Sequence, residues 1–596
     1  MKLKRLSSFI IALVILLSFT LTACKDNTTT TPISEEKFTP ITVIAGSDFQ
    51  HIDGNEPGQA IIKSILEAMK THGGIDSADG FLFCGDYAHH TYGVVEETVE
   101  GIKAIKETVS PFVTENMVFI QGNHDASLGT EGLCTSGDND PENGQYGVFV
   151  LHNSDYMWHN DNEQTIKRTA QRLTEYLNEK LILSYDRPIF VISHLPLHYS
   201  LRTKLDGDKM YANYIFDVLN EAGKKGLNIF FLFGHDHSNG WDDYLGASCI
   251  YLAKGDEILI AQSSQTEFKP ETLNFTYLNA GYVGYYTDHN GADDTLTMSV
   301  FTIDKDEVKV QRYSADGLHN LKCVGVRNKY RGETEYEPTE NIYPSPMTVP
   351  LTPVSDQTLL KNVIDEPMEG EGGKYTRLTK ASEIKDGGRY LLVYNTSSSF
   401  IMLPEIVTKE NSNGVKRIGM GIESSGVFGT NTVYGSFSDR EWILTKSGNG
   451  WLLGDGEKFI KLTSTSDSAI TATFEAEGDV FVVSGAEDAF VFTAGEYVLN
   501  YNSRGLINGY ASNPAVFSIY EFAGCTINVT NGKASKADAT KGETIKLTAD
   551  KAPDGKVFSK WVVVAGDITL EDEASEKTSF VMPDGEVRIV AVYSDK

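Results

Sequence analysis

Five short apolar runs constrain this chain most, because each is followed at once by a cluster of oxygen- and nitrogen-bearing side chains. The runs occupy 41–45, 81–84, 117–120, 189–192 and 229–233. Runs this short and unbroken suit strands covered on both faces. Between the first two, Ile61, Ile62, Ile65, Leu66 and Met69 recur on one helical face, and Gly73-Gly74 supplies a stop. Strands alternating with amphipathic helices predict a layered α/β domain. The clusters are Ser47-Asp48-Phe49-Gln50, Gly85-Asp86-Tyr87-Ala88-His89, Gly122-Asn123-His124-Asp125, Ser193-His194 and Gly234-His235-Asp236-His237. Loops beyond the carboxyl ends of strands converge in open α/β sheets, so these clusters are expected to meet in one cleft. Carboxylate, carboxamide and imidazole donors without thiolate suit Mn, Fe, Zn or a similar divalent metal. A lone strand-end histidine is ordinarily structural; five clusters in series point to a site.

In order and spacing these clusters resemble the calcineurin-like metallophosphoesterases over residues 41–315. The resemblance implies a metallophosphoesterase-like layered β-sandwich flanked by helices, holding two divalent metal ions. It implies that Asp86 bridges the metals, that Asp48 and His237 complete one site with it, and that Asn123, His194 and His235 complete the other. His124 would protonate the leaving oxygen, with Asp125 positioning it. The chain departs from the family at one place. The family has Asp-x-His in the first cluster, and here the third residue is Gln50, with His51 next. Gln50 is expected to coordinate through its carbonyl oxygen, a poorer ligand than imidazole for a transition metal, so the first site should bind weakly or select a harder ion. His51 cannot replace it, since a one-residue shift in an extended segment turns the side chain away. His89 is expected to support a ligand rather than act as one.

Composition narrows the function. The net charge of -30 repels polyphosphate backbones, which excludes nonspecific nucleic-acid binding as the main role. Six cysteines are too few for a disulfide-built scaffold, and no CxxC zinc pair, nucleophile elbow or Walker loop is present. Lys2, Lys4 and Arg5 precede an apolar run over 9–19 that is short for a membrane span and apt for a signal peptide. Leu21-Thr22-Ala23-Cys24 resembles the lipobox of bacterial lipoproteins, which implies acylation of Cys24; the alternative is an ordinary signal peptide with a chance cysteine. The expected location is the cell membrane, lipid-anchored and facing the outside of a bacterial cell.

The length, 596 residues, calls for about three or four domains. The expected order is a lipoprotein signal peptide (1–24), a polar tether (25–38), the phosphoesterase-like domain (39–315), a Pro/Gly-rich extension or linker (316–372), an all-β accessory domain (373–523) and a β unit (524–596). The last resembles the divergent InlB-type bacterial repeat, through Thr530-Asn531-Gly532, Lys560-Trp561, Phe580-Val581-Met582-Pro583 and Val592-Tyr593. Phe400, Tyr497, Tyr501 and Tyr510 in the accessory domain are either core or a sugar-binding face. The expected function is surface-anchored, metal-dependent hydrolysis of a small phosphomonoester or phosphodiester, an extracellular nucleotide for example. The β domains would make cell-surface or glycan contacts. The rival is a non-catalytic surface binding protein or adhesin that retains the fold.

Overall fold

The computed structural model describes residues 38–50, 55–88, 95–125, 133–135, 137–151, 163–197, 211–235, 251–261, 268–284, 296–324, 340–364, 372–395, 399–410, 416–424, 431–435, 437–464, 470–502 and 505–596. Cys24 and the expected export segment lie outside these residues, as do His51, His89 and His237.

Among the described residues, the compact unit Ile41–Lys596 opens with seven strands and four helices. The strands are β1 (Ile41–Gly46), β2 (Ala78–Phe83), β3 (Val113–Phe119), β4 (Gly137–Asp138), β5 (Gly147–Val150), β6 (Pro188–Ile192) and β7 (Asn228–Phe233). The helices are α1 (Asn55–Gly73), α2 (Val95–Val109), α3 (Glu163–Ile182) and α4 (Ala212–Lys224). Then follow β8 (Tyr251–Leu252), β9 (Glu257–Ala261), β10 (Phe268–Thr272), β11 (Thr276–Asn279), β12 (Gly281–Tyr282), β13 (Thr297–Ile303), β14 (Glu307–Ser314) and β15 (Gly317–His319). One sheet has the order β15-β14-β13-β1-β2-β3, with β12 also on β13; the other runs β4-β5-β6-β7-β11-β8. All five apolar runs are strands.

Pleat alternation gives each central strand two apolar faces, and the sandwich uses both. Between the sheets lie Val43, Ala45, Leu82, Phe190, Phe230 and Phe301. Phe190 meets the Phe230 and Phe301 rings at centroid distances of 5.6 and 5.0 Å. On the outer face of the first sheet, Ile62, Ile65 and Met69 of α1 and Ile102 and Ile105 of α2 pack on Phe81 and Phe83. Leu173 and Leu177 of α3 and Ile215 and Leu219 of α4 do the same for Ile189 and Val191 on the second. The result is a β-sandwich flanked by helices. Helix α1 stops as its sequence predicts: Gly74 takes φ 63°, and the N–H groups of Gly74 and Ile75 return to the Lys70 and Met69 carbonyls.

The Pro-rich stretch forms a strap over the sandwich. Met347–Pro350 adds to β14. Leu360 enters the core under α3 and α4, and its N–H donates to Asn178 Oδ1 at 2.6 Å. Lys225 Nζ anchors Asp356 at 2.7 Å. Beyond it, described residues from Gly373 onward form a 17-stranded, mainly antiparallel network and a three-stranded sheet. One strand, Phe517–Thr530, runs straight across 523/524. It pairs with Gly388–Asn395 before that point, with Gly373–Arg377 across it and with Val587–Asp595 beyond it. Tyr501 stacks on Tyr394 at 5.3 Å and 27°.

The C-terminal β unit docks on α3. Arg588 donates to Glu179 at 2.9 Å and lies 3.6 Å from Asp138; Thr530 Oγ1 donates to Glu179 at 2.7 Å. Glu175, one turn earlier, is pushed up to about 7 by burial, with Glu586 adding to the shift. A carboxyl raised in the folded state holds its proton more tightly there than in the unfolded chain. Folding stability is therefore fully present below about pH 4.5 and declines as pH rises through 7. Glu175→Gln should match the parent in unfolding free energy from urea titration near pH 4 and exceed it by about 1 kcal/mol at pH 8. A more stable parent at pH 8 would show that Glu175 is ionised and usefully paired.

Candidate metal centre

The turn after β1 carries Asp48 and Gln50, the turn after β2 Asp86, the turn after β3 Asn123 to Asp125, and those after β6 and β7 His194 and His235. Asp48, Gln50, Asp86, His194 and His235 are buried, while Asn123 and His124 are partly exposed. Asp48, Asp86 and His235 take φ of 55, 62 and 66°, a left-handed backbone that side chains rarely adopt. Strain of this kind collects at functional sites. The turns also touch: a Cβ on Gly122 would lie 2.1 Å from Asp86 Oδ1, and one on Gly85 would lie 2.6 Å from the Gly122 nitrogen. Only glycine lets the second and third clusters come this close.

Electron-rich atoms converge on one point. Asn123 Oδ1 lies 2.9 Å from His194 Nε2 and 2.8 Å from His235 Nδ1, and His194 Nε2 is 3.3 Å from Asp86 Oδ2. The two imidazoles stand edge to face with centroids 5.2 Å apart. His194 Nδ1 reaches the Cys84 carbonyl at 2.6 Å, and only an N–H can satisfy that oxygen. This fixes the tautomer and aims the Nε2 lone pair at Asn123 and Asp86, as a supported metal-ligating histidine requires. Two acceptor oxygens and a lone pair facing one another need a cation. Burial opposes charge on His194, yet the adjacent Asp86 raises its imidazole to about 9. Burial alone would raise the Asp86 carboxyl, but His194 and the His124 N–H hold it well below the usual carboxylate range. A proton on His194 thus stabilises the arrangement that a metal ion would.

Asp48, Asp86 and His194 offer ligand atoms that all lie within 4.8 Å of one another. Asp48 Oδ2 receives the His235 N–H at 3.1 Å, which links the first and fifth turns. This donor chemistry fits a divalent metal. His124 stands beside the centre, its backbone N–H donating to Asp86 Oδ1 at 2.9 Å. Asp125, which the sequence pairs with the His124 side chain, is engaged by backbone. Its Oδ1 receives the N–H groups of Tyr87 and Ala88, and its Oδ2 those of Asp86 and Gly122, at 2.7–3.1 Å.

Gln50 does enter the centre. Its Nε2 donates to Asp86 Oδ2 at 2.7 Å, and among the described residues its buried Oε1 accepts no hydrogen bond. An acceptor left unfilled inside protein is costly, and turning the amide would satisfy it with a cation. Gln50→His should therefore raise affinity for a transition metal by about tenfold, or ~1.4 kcal/mol, in a chelator competition titration. Unchanged affinity would mean that position 50 is not a ligand.

Sequence reading missed the far wall of the centre. Ser47 Oγ lies between Asp48 Oδ2 and the Gly281 carbonyl, the Val283 N–H donates to the Ser47 carbonyl at 3.2 Å, and a Cβ on Gly284 would lie 2.5 Å from the Asp48 carbonyl. No motif marks Gly281 or Gly284; the 234-residue separation from Ser47 conceals the contact.

A model of the calcineurin-like phosphoesterase family matches residues 42–239, and one of the divergent InlB B-repeat domain matches residues 525–596. No curated protein matches the chain. Among solved structures it is similar to a dimetal phosphatase from Danio rerio, at 10% identity and a TM-score of 0.29, covering 47% of this chain and 98% of that one. It is also similar to GAP50, the anchor in the inner membrane complex of Plasmodium, at 9% identity and a TM-score of 0.30, covering 51% and 90%. Residues 42–239 are thus a calcineurin-like phosphoesterase segment, and residues 525–596 a divergent InlB B-repeat domain.

Proposed function

We propose that this chain is a surface-anchored phosphoester hydrolase that works with two divalent metal ions. The observation that carries the reading is the meeting of His194 and His235 at Asn123 Oδ1, with Asp86 Oδ2 3.3 Å from His194 Nε2. When bound, such ions offset phosphate charge, lower the pKa of a bridging water and align the attacking and leaving oxygens. Asp86 would serve both ions, with Asp48, Gln50 and His237 on one side and Asn123, His194 and His235 on the other. His194 and His235 must give up any ring proton on the ligating nitrogen. His124, at the rim of the centre, would hand a proton to the leaving oxygen. The substrate is a small phosphomonoester or phosphodiester, such as an extracellular nucleotide. Lipid on Cys24 would hold the protein to the outer face of a bacterial membrane.

A second reading, a non-catalytic binding protein with the same fold, draws on the Gln50 amide, which gives Asp86 Oδ2 a hydrogen instead of an oxygen neighbour. One experiment separates the two. Protein lacking residues 1–24 is stripped of metal, given Mn, Zn, Fe, Mg or Ca singly, and assayed on p-nitrophenyl phosphate and bis-p-nitrophenyl phosphate. Metal-dependent turnover lost in His124→Ala supports the hydrolase. Tight metal binding with no turnover on either ester favours the binding protein.

A further inference from the structure

Behind the metal centre lies a buried positive charge with no acidic partner among the described residues. Arg312 follows Val308 and Val310 on the face of β14 that packs between the two sheets, and it is 3% exposed. Among the described residues no carboxylate pairs with it. Its Nη2 donates to the Asn279 carbonyl, its Nη1 stands 3.5 Å from Thr297 Oγ1, and its Nε has no acceptor. Asn279, 1% exposed, is in the same condition: its Oδ1 takes the Gly281 N–H at 2.9 Å, and among the described residues its Nδ2 meets no acceptor. Burial lowers the guanidinium only to about 9, so it remains charged at neutral pH.

An unpaired charge inside a protein is among the costliest arrangements known, and two buried donors without acceptors add to it. Whatever completes the cluster must be small, must accept hydrogen bonds and must be negative. A water molecule supplies acceptor lone pairs but no charge, so it would leave the buried guanidinium unneutralised. We propose that Arg312 and Asn279 hold a single small inorganic anion of chloride size between the sheets. Asn279 and Gly281 continue into the wall that supports Ser47 and Asp48, so the anion would stiffen that wall from behind. This inference does not depend on the hydrolase reading.

The test uses the full chain, with bromide as the probe. Crystals grown in sodium bromide should show an anomalous peak within hydrogen-bonding reach of both Arg312 Nε and Asn279 Nδ2. At constant ionic strength, replacing gluconate by chloride over a hundredfold range should raise the unfolding temperature by about 3 °C or more. Asn279→Asp keeps the acceptor for the Gly281 N–H and places a carboxylate beside Arg312, so it should abolish both the peak and the chloride dependence while remaining folded. Arg312→Met should abolish them too; if it does not fold, the bromide map of the unaltered protein decides. An ordered water at the site, or a bromide-free map with a chloride-independent unfolding temperature, overturns the proposal. A bromide peak in a protein with no phosphoesterase turnover would uphold this site and count against the hydrolase.

Discussion

Asp86→Asn is expected to strip the centre of bound metal and lower turnover by about 10³-fold or more, ~4 kcal/mol of transition-state stabilisation. The substitution keeps the shape, removes one charge and turns one acceptor into a donor. That charge is placed with little freedom. Asp86 is 1% exposed, Gly122 abuts its Oδ1, and its two oxygens receive the Gln50 amide and the His124 N–H. An asparagine presents an NH₂ to one of these donors, so the variant meets either Gln50 or His124 with hydrogen against hydrogen. It also removes the partner that raises His194, whose imidazole should return toward neutrality in the metal-free protein. Metal content by mass spectrometry, read beside turnover and the His194 titration by NMR, checks all three consequences. Full retention of metal would show that Asp86 does not bridge. The fold should survive, because a site that gathers Asp48 and Asp86 out of water is held against its own electrostatics.

How much of this centre was legible in the sequence depended on distance along the chain. Apolar runs and the polar residues that end them are local, so β1, β2, β3, β6 and β7 and the five clusters could be read directly. Gly74 was legible for the same reason, as the stop after one apolar helical face. The partners of those clusters were not. The link from Ser47 to Gly281, the guanidinium of Arg312 behind it and the pairing of Met347–Pro350 with β14 join residues that no short pattern connects. Composition marks 316–372 as irregular, yet apolar Leu360 and the charge of Asp356 tie part of it to the sandwich. A change of motif at 523/524 likewise conceals a continuous backbone, since one strand can serve two sheets while its side chains change style. The role of Asp125 was the subtlest case: Gly-Asn-His-Asp suggests a side-chain partner for His124, whereas backbone amides leave no trace in sequence.

Asp125→Asn is expected to fail differently from Asp86→Asn, by loosening the protein first. Each Asp125 oxygen receives two amide hydrogens, from Tyr87 and Ala88 on one and from Asp86 and Gly122 on the other. Only the ionised carboxylate can accept all four. Burial, and then the charge of Asp86, raise this carboxyl to about 7 despite the four amides, so the comparison is made at pH 8, where it is ionised. An asparagine offers one acceptor oxygen and one donor nitrogen, so two amides lose their partner and face a hydrogen instead. At about 2 kcal/mol for each buried amide left unsatisfied, the loss is roughly 4 kcal/mol, a fall in unfolding temperature of about 10 °C for a domain this size. The turns after β2 and β3 lose the carboxylate that knits them, so Asp86 and Asn123 should drift apart and metal affinity should fall with stability. Calorimetry in chelator separates the two variants: Asp86→Asn leaves one donor unmatched and should lose about half as much in unfolding temperature as Asp125→Asn, which leaves two. An Asp125→Asn protein as stable as the parent, with turnover alone reduced, would return Asp125 to the role that the sequence suggests, positioning the His124 side chain.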